Sequence, residues 1–266
     1  MKIGYIITQT SSARRINEAM AQMLRDAIPQ QAGCLLAPKT PDVVHVFGAY
    51  DARTARLVGN YAKRGTPVVF TAIDGLPSIA TLSAARRSKA KKIARQATAV
   101  HVCGSMEQTL INELAPDTVT CVVANPTLSH IITESDATKA VTQLYERTVK
   151  RHNERVEKEI KEHLTAANVV DASVAHVCRN IILVYRHLKR GYIDLRTLKN
   201  LVTLMTETAY DEEILADTLR RTHLLSFAQS LMAALEQEAG LTEGFMPIQP
   251  KNGKLARRIA RAIVNE

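Results

Sequence analysis

The polar residues best suited to chemistry follow short apolar runs of the chain. Asp74 lies in Ile73-Asp74-Gly75, directly after the run 67–72. A carboxylate at the end of a buried strand, beside a flexible glycine, is well placed for general base work. An Asp before a Gly is also a common turn residue, so a structural role is the alternative. Asp74 is therefore the candidate catalytic residue.

A second candidate site follows the first apolar run and would hold an anion. Ser11 and Ser12 precede a helical stretch whose predicted first turn carries Arg14 and Arg15. The positive end of the helix dipole disfavours cations there, and a bound anion would relieve that conflict. The alternative is an ordinary serine cap with two solvated arginines.

Two further strand ends complete the candidate ligand site. Ser105 is the predicted N-cap of a strand-to-helix turn, where a phosphate or a backbone carbonyl can sit equally well. Asn125 lies in the segment 124–127, after the last apolar run. His45 and His101 occupy matching places inside apolar runs without a carboxylate nearby in sequence, which favours core histidines over ligands.

The sequence has no motif of the common cofactor-dependent or metal-dependent enzymes. G-x-G-x-x-G, a Walker loop, a G-x-S-x-G elbow and H-E-x-x-H are all missing. The cysteines Cys34, Cys103, Cys121 and Cys178 are scattered, so we expect small buried side chains rather than zinc ligands or disulfides. We expect neither a metal nor a cofactor.

A parallel sheet is the structure that would bring these candidates together. Up to about residue 127, short β-branched runs alternate with amphipathic helical stretches, which is typical of a sheet wrapped by helices. Ligands bind such sheets outside the carboxyl ends of the strands, where all the candidates lie. The predicted strands are 2–8, 34–37, 43–47, 67–72, 99–103 and 119–124, and the predicted helices are 13–27, 53–64, 88–97 and 106–114.

After residue 126 the strands stop and a period near 3.6 takes over. Thr133 and Asp136 form a loose capping box for a long helix, a second helix ends at Gly191, and Asp194 caps a third. A fourth helix, in one or two pieces, and a short last one follow. The predicted domains are a Rossmann-like α/β domain, 1–135, and an all-helical extension, 136–266.

Two basic segments stand out in a chain of net charge +9. Either each helix covers the protein's own core and shows its charges to water, or it contacts an anionic membrane or another partner. Nucleic acid is disfavoured because aromatic residues for base stacking are few. The candidate surface residues are Arg86, Arg87, Lys91, Lys92, Arg257, Arg258 and Arg261.

No apolar run approaches the length of a membrane span or of a signal-peptide core. We expect a cytoplasmic protein that can lie peripherally at the inner face of the membrane.

Four segments of the α/β half resemble the N-terminal domain of GT-B glycosyltransferases of the group 1, or family 4-like, kind. They are 41–48, 65–75, 97–105 and 119–125. The family's equivalents are PDVVHVHG, G-x-PVVxTxHG, ADxVxxxS and VxVIPNGVD. The resemblance covers roughly the first 127 residues.

The resemblance implies an acceptor-binding domain whose partner domain normally binds a nucleotide-sugar in the cleft between the two. No such donor domain is recognisable. Glu154 and Glu162 match the family's E-x7-E only by a spacing expected in any charged helix. Residues 137–149 resemble the family's terminal helix, which returns to pack on the N-terminal domain.

The chain also departs from the family. Thr10-Ser11-Ser12 stands where a Gly-Gly pair is usual, and Ile73 replaces a common histidine. The expected function is the acceptor-binding half of a split glycosyltransferase, or an inactive homologue, in cell-surface polysaccharide synthesis. Its partners would be a separate donor-domain subunit and a glycan or phosphorylated acceptor.

Two alternatives remain open from the sequence. A non-enzymatic module could bind protein or membrane on an inherited Rossmann-like scaffold. A complete but divergent transferase ranks last, because helices without a Gly-rich turn or paired carboxylates offer no evident diphosphate site.

Overall fold

The computed structural model describes residues 1–8, 15–32, 41–75, 81–128 and 131–264. The predicted strand 34–37, Cys34, Ser11, Ser12 and Arg14 lie outside these residues. The chain divides into two compact units, Met1–Asn153 and Glu154–Glu266, and the division falls inside one long helix.

The first unit is a parallel sheet with helices on both faces. Its strands are β1 (Ile3–Ile7), β2 (Val43–Gly48), β3 (Val68–Ala72), β4 (Ala99–Val102) and β5 (Thr120–Val122). Its helices are α1 (Glu18–Ala32), α2 (Ala52–Lys63), α3 (Ala84–Gln96), α4 (Ser105–Leu114) and the first part of α5 (Glu134–Ala166). The strands pair in the order β1-β2-β3-β4-β5, and all the pairs are parallel. The predicted α/β class with a Rossmann-like parallel sheet is confirmed.

The sheet is buried on both faces, as continuous β-branched strands require. On one face, α1 and α5 pack against side chains such as Ile3, Val43 and Val69. On the other face, α2, α3 and α4 pack against the alternate positions, such as Val44 and Phe70. The two faces therefore have separate cores.

Helix α5 is 33 residues long and begins where the capping box was predicted. The Asp136 N–H donates to Thr133 Oγ1 at 3.1 Å, and the Thr133 hydroxyl donates to Asp136 Oδ2 at 2.7 Å. Ala137 and Tyr145 lie in the core beneath the sheet. The prediction that 137–149 pack on the α/β domain is confirmed.

The second unit is a helical bundle. It contains the end of α5, α6 (Ala172–Arg190), α7 (Leu195–Glu207), α8 (Glu212–Arg221), α9 (Leu225–Ala239), a 3-10 turn (Glu243–Phe245) and α10 (Lys254–Ala262). Gly191 ends α6 with φ at 99°, and the Asp194 side chain caps α7, both as predicted. The fourth predicted helix is two helices, α8 and α9.

The extension is not entirely helical, so that prediction is wrong at four residues. Two short strands, β6 (Ile193–Asp194) and β7 (Ile263–Val264), pair in parallel. Such two-residue strands produce no periodicity that a sequence pattern can reveal.

Two helix starts also differ from the prediction. Helix α1 begins at Glu18 rather than near residue 13, and α3 begins at Ala84 rather than at 88, with Ser83 as its N-cap. Across the part of the chain that the structure describes, no helix combines the length and apolar character needed to span a bilayer.

Candidate functional site

Asn17 holds together the carboxyl ends of three strands. Its backbone N–H donates to Ile73 O at 2.9 Å, and its side-chain amide donates to Ala72 O at 2.7 Å. Its Oδ1 accepts from Asn125 Nδ2 at 2.9 Å and from Cys103 Sγ at 3.4 Å. A buried amide with this many partners fixes the start of α1 against β3, β4 and β5.

Asn125, a predicted ligand-binding residue, is buried and engaged within the chain. Besides Asn17, it donates to Ile16 O at 3.4 Å. Its Oδ1 accepts from both the N–H and the hydroxyl of Thr127, at 3.0 and 2.7 Å. The side chain therefore organises the turn after β5.

A carboxylate from the first turn of α4 reaches back to the end of β4. Glu107 Oε2 accepts from the Cys103 N–H at 2.7 Å, and Gly104 is the N-cap. The prediction of Ser105 as N-cap is wrong, because Ser105 is the first helical residue and is exposed. Glu107 therefore ties the end of β4 to the first turn of α4 rather than capping the helix.

Asp74 lies at the end of β3, as predicted, and is paired with Arg86. Arg86 Nη2 lies 2.8 Å from Asp74 Oδ2, and the Asp74 side chain is only 6% exposed. The adjoining turn closes through a Gly75 N–H···Ala72 O bond of 3.2 Å, with Gly75 at a φ of 66°. The ion pair makes Asp74 the anchor for the start of α3, with one oxygen held by a cation.

The protonation states at this edge are set by burial. Burial raises the pKa of the Tyr50 hydroxyl, and the Glu107 and Asp74 carboxylates raise it further. Burial, and then Glu107, raise the pKa of the Cys103 thiol to about 12. Both groups stay protonated at neutral pH, so Cys103 has the properties of a structural thiol rather than a nucleophile.

Arg15 is placed differently from the sequence prediction. It precedes α1 rather than lying in its first turn, and its Nη1 lies 2.6 Å from Glu18 Oε1. Glu18 supplies the negative charge that the helix start favours. The predicted conflict between Arg15 and the helix dipole is therefore resolved within the chain.

An exposed apolar rim surrounds the hydrogen-bonded residues of the carboxyl edge. Ile16 is 42% exposed, Met106 76% and Leu128 61%. All three lie near one edge of the sheet: Ile16 lies beside Gly75, Met106 is in the first turn of α4, and Leu128 N–H donates to Asn125 O at 3.2 Å. These exposed apolar side chains make the edge a candidate binding surface.

A buried chain of hydrogen bonds crosses the sheet on the face covered by α1 and α5. His101 Nε2 lies 3.1 Å from Val123 O, and His101 Nδ1 lies 2.8 Å from Thr71 Oγ1. Thr71 Oγ1 lies 2.7 Å from His45 Nε2. Burial lowers the pKa of His101 to about 4, against a smaller opposing effect of the Val123 carbonyl, so the ring is neutral.

The direction of donation along these hydrogen bonds follows from the last acceptor, the Val123 carbonyl oxygen. A carbonyl oxygen can only accept, so His101 carries its hydrogen on Nε2. The Thr71 hydroxyl then donates to His101 Nδ1 and accepts from His45 Nε2–H. Burial, and then the neighbouring His101, lower the pKa of His45 well below its usual range, so His45 Nδ1 is an acceptor.

Tyr145 of α5 supplies the donor that His45 requires. Its hydroxyl lies 2.6 Å from His45 Nδ1 and 2.9 Å from the Tyr5 hydroxyl. The Tyr145 O–H donates to the histidine, which leaves Tyr5 to donate to Tyr145. The prediction that both histidines are core residues is confirmed. Their link to Tyr145 was not predicted from the sequence.

The basic candidates divide between α3 and α10. Arg87, Lys91 and Lys92 are exposed on α3, and α10 exposes Arg257, Arg258 and Arg261. Helix α10 buries Ala256 and Ile259 in the core of its own unit. Its apolar stripe is therefore already occupied.

The described part of the carboxyl edge has hydrogen-bonded polar residues and exposed apolar side chains around them. Within the described residues, no group of three or more His, Cys, Asp or Glu is arranged to hold a metal. Asp74, Glu107, Asn17 and Asn125 all bind within the chain, so the arrangement is better suited to positioning a ligand than to acid–base chemistry. Comparisons with protein-family models, with curated proteins and with solved structures gave no match.

Proposed function

We propose that this chain is a glycosyltransferase-like protein that acts as the acceptor-binding half of a split enzyme in cell-surface polysaccharide synthesis. Its donor-binding counterpart lies on a separate polypeptide. If the chain recruits no such counterpart, it is an inactive homologue of these enzymes.

The apolar rim formed by Ile16, Met106 and Leu128 is the observation that supports this function most. It lies at the carboxyl edge of a parallel sheet, which is where α/β proteins bind their ligands. A second lobe docked on the rim would cover it, and a sugar acceptor would lie between the lobes. The packing of α5 on the sheet agrees with the resemblance seen in residues 137–149.

Two binding measurements test this function. The purified chain is titrated calorimetrically with UDP-, GDP- and CMP-linked sugars and is also applied to an array of oligosaccharides. We expect no nucleotide-sugar to bind at micromolar concentration, and we expect a subset of oligosaccharides to be retained.

Met106→Glu, at the rim, should reduce oligosaccharide retention about tenfold by placing a charge beside the acceptor. Val170→Glu is the matched control, because Val170 is 95% exposed in the helical unit. A micromolar nucleotide-sugar, or retention that Met106→Glu leaves unchanged, contradicts the proposal.

The second candidate is a non-enzymatic module that docks on an anionic membrane or another acidic partner, and one observation favours it. Residues 52–96, which form α2, β3 and α3, contain ten Lys or Arg and a single acid, Asp74. Asp74 is already paired with Arg86. Since α2 and α3 are neighbours on the sheet, the outer face of this layer is strongly basic.

Charge reversal separates this candidate from the first. Lys91→Glu with Lys92→Glu should abolish sedimentation with phosphatidylglycerol vesicles if α3 is the docking face, and binding to the parent chain should weaken with salt. Arg257→Glu with Arg258→Glu is the control, since α10 holds its apolar side in its own core. Equal losses from both pairs contradict docking through α3.

A further inference from the structure

A groove lies between α2 and the carboxyl half of β1, apart from the apolar rim. It encloses about 500 Å³. Helix α2 contributes Arg53, Arg56, Leu57 and Asn60, and the other wall is formed by 6–8 of the strand end. A cavity of this size is within the range that holds small ligands.

The wall contributed by α2 is a single stripe of the helix. Positions 53, 56, 57 and 60 have the i, i+3, i+4, i+7 spacing of one helix face. The opposite stripe, which includes Ala55 and Val58, is buried against the sheet. Leu57 of the groove stripe also borders that core, whereas Arg53, Arg56 and Asn60 are exposed. The stripe runs along about 10 Å of helix at 1.5 Å per residue.

The charge of this wall is not balanced within the described residues. Neither Arg53 nor Arg56 makes an ion pair there, and both are exposed. The neighbouring Asp51 is the N-cap of α2 and accepts from the Thr54 N–H at 2.7 Å. Two guanidinium groups one turn apart form a fork suited to a phosphate, which arginine binds in bidentate geometry.

The opposite wall is apolar. Ile6 is half-buried at the end of β1, and Leu57 is half-buried across from it. Both border the core on the α2 face of the sheet. Thr8 is buried, and its hydroxyl donates to Phe47 O at 3.3 Å. A bare phosphate would leave these apolar groups in water, whereas an aliphatic chain would cover them.

We propose that this groove binds the phosphate ester of an aliphatic chain. The phosphate lies between Arg53 and Arg56, Asn60 donates to it, and the aliphatic chain lies along Ile6 and Leu57. The described residues that line the groove include no aromatic side chain, so none of them stacks a nucleobase. This proposal does not depend on the acceptor role proposed for the apolar rim.

Calorimetric titration with octyl phosphate, inorganic phosphate and octanol tests the site. We expect octyl phosphate to bind at least about tenfold more tightly than either fragment, because only it uses both walls. Arg53→Gln with Arg56→Gln should weaken octyl phosphate binding about tenfold or more. Leu57→Asn should do the same without changing the response to inorganic phosphate.

The control replaces two basic residues at the end of the same helix, Lys63→Gln with Arg64→Gln, and should leave the affinity unchanged. Far-UV circular dichroism checks that each variant is folded, which is expected because the arginines are exposed. Inorganic phosphate binding as tightly as octyl phosphate overturns the proposal. So does an equal loss in the control, or no binding of octyl phosphate to the parent chain.

Discussion

On the face of the sheet that carries α1 and α5, polar groups cross the core, whereas the face that carries α2, α3 and α4 is packed with apolar side chains. His45, Thr71 and His101 lie on the first face and are joined to Tyr145. Phe70 and Ile93 are typical of the second. Both faces are equally well buried.

The difference shows that the stability of the sheet and the position of the helix on it come from different interactions. Apolar packing contributes free energy in proportion to the apolar area buried, but it does not fix a helix at one position along the sheet. A hydrogen bond from Tyr145 to His45 is satisfied at only one position of α5 along the sheet, since each polar group needs its partner. The polar face therefore fixes where the helix lies, and the apolar face supplies stability.

Phe70→Ala should give the largest effect, because the apolar face depends on filled volume. The ring is fully buried and lies 5.4 Å from the Tyr50 ring, centroid to centroid. We expect a loss of about 3–5 kcal/mol in the free energy of unfolding. Hydrogen exchange of the β3 amides measures it without contribution from the helical unit. A loss below about 1 kcal/mol would show that this face can collapse around a cavity.

Of the two faces of the sheet, acidification should weaken the polar one. The folded pKa of His101 is about 4, below its ordinary 6.5, so the unfolded chain binds more protons between these values. This contribution is fully present above pH 6.5 and is lost as the pH falls to about 4, which amounts to about 3 kcal/mol. His101→Gln should flatten the decline, measured by exchange of the β4 amides. An unchanged slope contradicts the assignment.

His187 of the helical unit is the internal reference for that experiment. Burial, then Arg190, lower its pKa to about 4 against the opposing effect of Asp194. Its own contribution declines over the same range, so amides of α6 should keep their pH dependence in the His101→Gln variant.

Tyr145→Phe should reduce stability by about 1–3 kcal/mol, because His45 Nδ1 would remain a buried acceptor without a donor. Urea unfolding followed by circular dichroism gives the change. Tyr61→Phe, at a half-buried position of α2, is the control and should stay within about 0.5 kcal/mol of the parent. Similar values for both would mean that the hydroxyl of Tyr145 does not hold α5.

Tyr5→Phe should have the smallest effect, about 1 kcal/mol, because Tyr145 keeps its own hydrogen for His45. The same urea titration applies. A larger loss of unfolding free energy than in Tyr145→Phe would mean that donation runs in the opposite direction, from Tyr145 to Tyr5.

The sequence was sufficient for the sheet because its strands, buried on both faces, are continuous apolar runs. It was also sufficient to predict the end of α6 at Gly191 and the cap of α7 at Asp194, because helix caps depend on local geometry. It failed at the start of α1, where the helix begins only after Asn17 has bonded to β3. That contact joins residues far apart in the chain, and no local pattern contains it.

The candidate site was predicted in position rather than in detail. Asp74 and Asn125 lie at strand ends as expected, but their partners, Arg86 and Asn17, could not be read from spacing. Ser105 was assigned a cap on residue type alone. Gly104 holds that position instead, and Glu107 bonds to the Cys103 N–H, one residue before the cap.

Helix α5 has a consequence for anyone who would dissect this protein into fragments. Composition suggests a cut after residue 135, yet the side chains of Ala137, Val141, Leu144 and Tyr145 complete the hydrophobic layer beneath the strands. A piece ending there would leave Ile3 and Tyr5 open to water and invite aggregation. A fragment of the first unit should therefore end after Asn153, beyond the last helical turn that packs on the sheet.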